Sequence, residues 1–107
     1  MKLRTAKRIY DAINAKNFGG VLHRPRFLNT HSRSTYAAYE WTDRYSMIHV
    51  NLKTLRWYNA YSIIFHEMIH QYLEEFLGID EGTHHGFRFW QESKKFASTN
   101  FILFEEL

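Results

Sequence analysis

The chain of 107 residues has no cysteine, a single proline and only five glycines. Without cysteine no disulfide can form, which suits a reducing compartment. No run of apolar residues is long enough to span a membrane, and the basic residues 1–8 lack the apolar stretch of a signal peptide. We therefore expect a cytoplasmic, intracellular protein with no membrane partner. The oligomeric state is left undetermined.

Large side chains compensate for the modest length. Aromatic residues make up 18% of the chain and apolar residues 45%, which is enough to build a core. No internal repeat, low-complexity tract or proline-rich linker divides the sequence. These features predict one compact domain over residues 1–107.

The most informative segment is His66-Glu67-Met68-Ile69-His70. On an α-helix, residues four apart lie on one face, so both imidazoles can reach one metal ion. The carboxylate of Glu67 then lies close enough to hold a water molecule without coordinating the metal. This pattern is typical of zinc hydrolases, in which the metal acidifies the water and the glutamate takes its proton.

The segment around this motif has the pattern of a helix. Apolar residues recur at three- and four-residue spacings from residue 59 to 77, no proline interrupts them, and Gly78 follows as a stop signal. Only a narrow polar strip, with Glu67, Gln71, Glu74 and Glu75, breaks the apolar surface. We expect the helix to be largely enclosed, where a buried imidazole needs a partner such as a metal.

Catalytic zinc usually has three protein ligands and one open position. The position six residues after His70 is Phe76, so a third histidine at that spacing is excluded. A glutamate is one alternative, with Glu92 better placed than Glu81 or Glu74. The stronger candidate is the pair His84-His85 in the polar turn 80–86, which would bring residues 87–96 back against the metal helix.

These residues resemble the SprT-like metallopeptidases, which include the Spartan-type proteases of DNA–protein crosslink repair. That family combines HExxH with a downstream His-Gly-x-x-Phe, and the chain has His85-Gly86-Phe87-Arg88-Phe89 at a similar interval. The resemblance implies that His66, His70 and His85 bind Zn²⁺ and that Glu67 is the catalytic base. His84 falls outside the matched pattern. It is interpreted either as a group that contacts a metal ligand rather than the metal, or as a solvated turn residue.

The resemblance implies an α+β, zincin-like fold. It would comprise an N-terminal helix, a small three-stranded antiparallel sheet, the HExxH helix and a C-terminal helix. Helical spacing from Leu3 to Ile13 and short strand patterns at 26–29, 35–40 and 46–51 agree with that order. Many family members carry a cysteine-rich zinc ribbon, and we expect a minimal domain without one.

The resemblance implies a protein or peptide substrate, bound by edge pairing with the strand 46–51 or the strand before it. The candidates for assisting the oxyanion are Tyr58, Tyr61, Tyr72 and Arg88. His23 and His31 are expected on the surface, and His49 should face opposite to its strand neighbours Ile48 and Val50.

The formal net charge is +3, with the basic residues concentrated in the first half of the chain. A basic face can attract DNA, although Lys and Arg on an amphipathic helix are commonly just its solvated face. Three other functions stay open. They are a nucleic-acid-binding module with a structural zinc, a regulatory HExxH peptidase that cleaves a repressor, and a metal-free interaction domain.

Overall fold

An N-terminal helix, three short strands and two further helices follow one another along the described chain. The computed structural model describes residues 1–30, 36–42, 44–79 and 86–100, and the side chains up to residue 96. The helices are α1, Leu3–Asn17, α2, Ala60–Gln71, and α3, Phe87–Asn100. The strands are β1, Arg26–Asn29, β2, Ala37–Trp41, and β3, Ser46–Val50. The architecture is α+β, as expected.

The sheet is mixed, with strand order β1-β3-β2. β2 pairs antiparallel with β3, but β1 pairs parallel with β3, so the expectation of an antiparallel sheet is wrong for one of the two pairs. β2 lies at the outside and turns back into the central strand β3, which therefore runs in the direction of β1. Alternating side chains fix the faces of a strand but not its direction, so the sequence pattern did not reveal this.

One face of the sheet is covered by the helices. Ile48 and Val50 are fully buried, and their partners across the sheet include Phe27 and Tyr39. The ring of Phe27 meets Tyr10 of α1 edge to face at 5.7 Å. His49 is partly exposed beside Glu40, 3.9 Å from Nε2 to Oε1, which confirms that it faces away from Ile48 and Val50.

The helix predicted over residues 59–77 is confirmed in position but changes character in its last turn. α2 continues into a π-helical turn, Tyr72–Phe76, where the amide of Leu77 bonds to the carbonyl of Tyr72 at 3.2 Å. Gly78 then takes a φ of +66°, which favours glycine and ends the helix. None of the described helices is both long and apolar enough to cross a membrane.

The polar strip of α2 faces the interior, where it forms a hydrogen-bond network. Gln71 is fully buried. The Tyr10 hydroxyl donates to Gln71 Oε1 at 2.7 Å, and Gln71 Nε2 donates to the backbone carbonyl of His23 at 2.8 Å and to Glu75 Oε2 at 2.7 Å. Burial raises the pKa of Tyr10, so its hydroxyl remains a proton donor. The network joins α1, the α1–β1 loop and α2.

Replacing Tyr10 by Phe should lower the free energy of unfolding by about 1–3 kcal/mol, because a buried acceptor on Gln71 loses its donor. Urea denaturation measures the loss. The matched control is Tyr58→Phe, whose side chain is exposed. Equal stability of the two variants would contradict the importance of the network.

Candidate metal centre

The two histidines of the motif lie side by side on α2. Their ring centroids are 5.0 Å apart, with 68° between the ring planes. His66 is only 7% exposed, whereas His70 is partly accessible. The helical spacing predicted from the sequence therefore brings both imidazoles to one face, with one of them nearer the solvent.

That separation fits a shared metal ion. A tetrahedral divalent ion with metal–nitrogen distances of about 2.1 Å places two coordinating imidazoles roughly 5 Å apart, centroid to centroid. The rings of His66 and His70 have this separation, at 5.0 Å. Neutral imidazoles are the commonest protein ligands for zinc and related metals. The donor set of these two residues thus suits a metal.

A phenylalanine from α3 covers one side of the His66–His70 pair. The ring of Phe89 stacks on His70 at 4.5 Å with an interplanar angle of 28°, and it contacts His66 at 4.9 Å. Phe89 itself is fully buried. Its ring therefore limits the orientations that both imidazoles can take and keeps water from that side.

Glu67 is held in a buried position beside β2. It is 7% exposed, and burial raises its pKa from the usual range for a carboxylic acid to about 8. A hydrogen bond from the backbone amide of Tyr39 acts in the opposite direction, and the negative charge of Glu74 adds to the rise. A cation nearby would favour the carboxylate form.

Residues 80–85 lie outside the described part of the chain, and with them the candidates Glu81, His84 and His85. Among the residues that are described, no group of three His, Cys, Asp or Glu side chains lies close enough to hold a metal. Glu74 and Glu92 are described, so the structure does not bring either of them to the imidazole pair as a third ligand. The assignment of His85 stays a prediction.

Several other candidates have different surroundings. Glu92 pairs with Lys95 at 3.2 Å, and Tyr61 accepts a hydrogen bond from Asn17 at 3.3 Å. The ring of Tyr72 packs against Phe18 at 5.5 Å. Exposed side chains are found at Tyr58, Arg88 and His23. His31 lies outside the described residues.

The strand next to the site is at an edge of the sheet. β3 is central and pairs on both sides, so the prediction that residues 46–51 bind a substrate by edge pairing is wrong. The alternative, the preceding strand β2, pairs with β3 on one side only among the described strands. Glu67 lies against this strand through the amide of Tyr39.

Sequence reasoning missed the roles of Phe89 and Gln71. Phe89 is the last residue of the His-Gly-x-x-Phe pattern, but nothing in its spacing indicates contact with both imidazoles. Gln71 belongs to the polar strip of the sequence pattern, and its one signal is its position between His70 and an apolar run on a helix expected to be enclosed. A buried glutamine requires hydrogen-bond partners, and that requirement pointed to a network.

Comparison with known proteins shows a likeness in fold. No protein-family model matches the chain, and no curated protein matches it. A solved structure, the metallopeptidase zymogen jannalysin of Methanocaldococcus jannaschii, is similar with a TM-score of 0.57 at 16% sequence identity. The match covers 85% of this chain and 80% of jannalysin. At that identity the likeness concerns the fold alone, and it is consistent with the expected zincin-like fold.

Replacing Phe89 by Ala should destabilise the protein by about 3–5 kcal/mol, because the substitution leaves a cavity beside the imidazoles. Phe87→Ala is the matched control in the same helix, since that side chain is 80% exposed and should change stability little. Thermal and urea unfolding compare the two. A similar loss in both variants would contradict the packing described for Phe89.

Proposed function

We propose that the protein is a zinc-dependent metallopeptidase that hydrolyses peptide bonds with Glu67 as general base. The observation that carries the proposal is the pair of imidazoles, His66 and His70, 5.0 Å apart on one helix face with Glu67 on the same turn. Fold likeness to a protein described as a metallopeptidase zymogen agrees with this class.

We assign His85 as the third ligand, following the resemblance to the SprT-like family. Two features of the described chain support it. His85 is bonded directly to Gly86, whose carbonyl accepts the amide of Trp90 at 3.2 Å in the first turn of α3. That same turn carries Phe89, which contacts both imidazoles, so the chain leaves the site only a few residues from position 85.

When bound, the metal would polarise the scissile carbonyl and increase the acidity of the attacking water. The residues of the chain carry the other tasks. His66, His70 and His85 supply neutral nitrogen donors, and Phe89 fixes two of the rings. Glu67, anchored by the amide of Tyr39, accepts a proton from the water and returns it to the leaving amine. The carboxylate is needed for this step, because a carboxylic acid cannot accept the proton.

The substrate is an extended polypeptide paired with the outer edge of β2. An edge strand offers unpaired backbone groups to a peptide, and β2 is the edge against which Glu67 lies. The family resemblance extends the proposal to DNA-associated protein substrates. Contact with DNA would come from the basic first half of the chain. One of its cationic side chains, Arg24, is paired with Asp11 at 2.9 Å.

Metal binding tests the ligand assignment. Wild-type protein should bind one Zn²⁺. Loss of a residue that only hydrogen-bonds to a metal ligand costs roughly 10- to 100-fold in affinity, and His85→Ala should weaken binding by more than that. Competition with a chromophoric chelator measures the affinity. His84→Ala and Glu92→Ala serve as controls and should bind nearly as well as wild type. Zinc loss in Glu92→Ala but not in His85→Ala would contradict the assignment and favour the repressor-type peptidase.

Replacing Glu67 by Gln should reduce hydrolysis by about 10²- to 10⁴-fold while zinc remains bound, because an amide cannot accept the proton. Mass spectrometry of a peptide library incubated with zinc-loaded protein measures the cleavage. Glu40→Gln, at a half-exposed position of β2, is the control that should keep activity.

Full activity in Glu67→Gln would remove the residue from its role. Absence of cleavage by the wild-type protein, with zinc bound, would instead favour a nucleic-acid-binding module with a structural metal. Absence of bound zinc would favour a metal-free interaction domain.

A further inference from the structure

A cavity of about 370 Å³ opens between the end of α1, the π-helical turn and α3. Four aromatic side chains line it, Phe18, Tyr72, Phe76 and Phe96, together with Glu92 and Lys95. The rings of Phe18 and Phe96 are 4.8 Å apart, so one wall is closely packed. A cavity of this size is within the range of small-ligand sites.

The cavity contains a buried carboxylate. Glu92 is 4% exposed, and a charged group so deep in an aromatic environment is costly unless it has a cationic partner. That partner is Lys95, whose Nζ lies 3.2 Å from Glu92 Oε1 while 65% of its side chain remains exposed. The carboxylate is therefore fixed, whereas the ammonium group reaches it from the solvent.

The cavity wall is built by the least regular part of the fold. Tyr72 and Phe76 are the first and last residues of the π-helical turn, and their rings stack at 5.7 Å with an interplanar angle of 15°. Single π-helical turns are uncommon and occur frequently at functional sites. Here the turn places two parallel aromatic faces beside an acidic group, and both kinds of group attract cations.

We propose that this cavity binds a small organic ammonium ion that has an apolar body. Glu92 accepts hydrogen bonds from the ammonium group, and the aromatic walls bind the apolar part and contribute cation–π attraction. Lys95 acts as a tethered competitor, because its own ammonium group occupies the carboxylate when no ligand is bound. The inference is independent of the proposed peptidase activity.

The test uses three probes with one skeleton and different charge: 2-phenylethylammonium, neutral 2-phenylethanol and anionic phenylacetate. Amide NMR titration of the whole protein should show that the ammonium ion binds more tightly than the alcohol, with shifts at the cavity residues, and that phenylacetate does not bind. Lys95→Met removes the competitor and keeps the stem, so the affinity for the ammonium ion should rise roughly tenfold. Lys94→Met is the matched control and should leave it unchanged.

Glu92→Gln should abolish the preference for the ammonium ion over the alcohol. If Lys95→Met does not fold, the comparison of wild type with Glu92→Gln decides the matter alone. Equal binding of alcohol and ammonium ion to the wild type, or equal effects of Lys95→Met and Lys94→Met, would overturn the proposal. Glu67→Gln should bind the probes like wild type. The outcome of this titration is therefore independent of whether the peptidase proposal holds.

Discussion

Enclosure of α2 is the constraint on which the rest of the structure depends. The helix has fully buried apolar residues, among them Ile64, Met68 and Ile69, and the same turns carry His66 and Glu67 at 7% exposure. A polar group taken out of water costs free energy unless it is hydrogen-bonded, charged against a partner or bound to a metal. Every buried polar side chain on this helix therefore needs one of these partners, whatever its chemical role.

The chain meets this requirement differently at Gln71 and at Glu67. Beyond His70, Gln71 is satisfied by Tyr10, by a backbone carbonyl and by Glu75, all within 2.8 Å. Glu67 has the backbone amide of Tyr39, yet burial still raises its pKa to about 8. One end thus forms a closed hydrogen-bond network, while the other keeps a group whose charge depends on what binds beside it. Such a group is typical of a functional site.

Sequence periodicity predicted the helices well because burial of one face leaves a regular trace in the order of residues. It predicted α2 and the glycine stop, and it placed His49 on the correct face of its strand. It failed for the direction of β1 against β3, because direction depends on the path of the connections rather than on alternation. It also gave no sign of the π-helical turn, in which the ring of Tyr72 contacts Phe18 and Phe96 from other parts of the chain.

The candidate site divides in the same way. Spacing alone was sufficient to bring His66 and His70 together, since helical geometry determines the relation of residues four apart. No local rule places a residue from another helix on that pair, so the stacking of Phe89 emerged only from the fold. His85 depends on the same long-range packing and stays a prediction from the family resemblance.

A similar fold at 16% identity means that different side chains can build it, and a fold alone does not determine an activity. Hydrolysis would therefore depend on groups that enclosure does not require. An apolar residue at position 66 or 70 would satisfy the core at less cost than an imidazole. The two imidazoles lie at the separation that a shared metal would require, and the residue after His66 is a buried glutamate. Both features are accounted for by the proposed metal site.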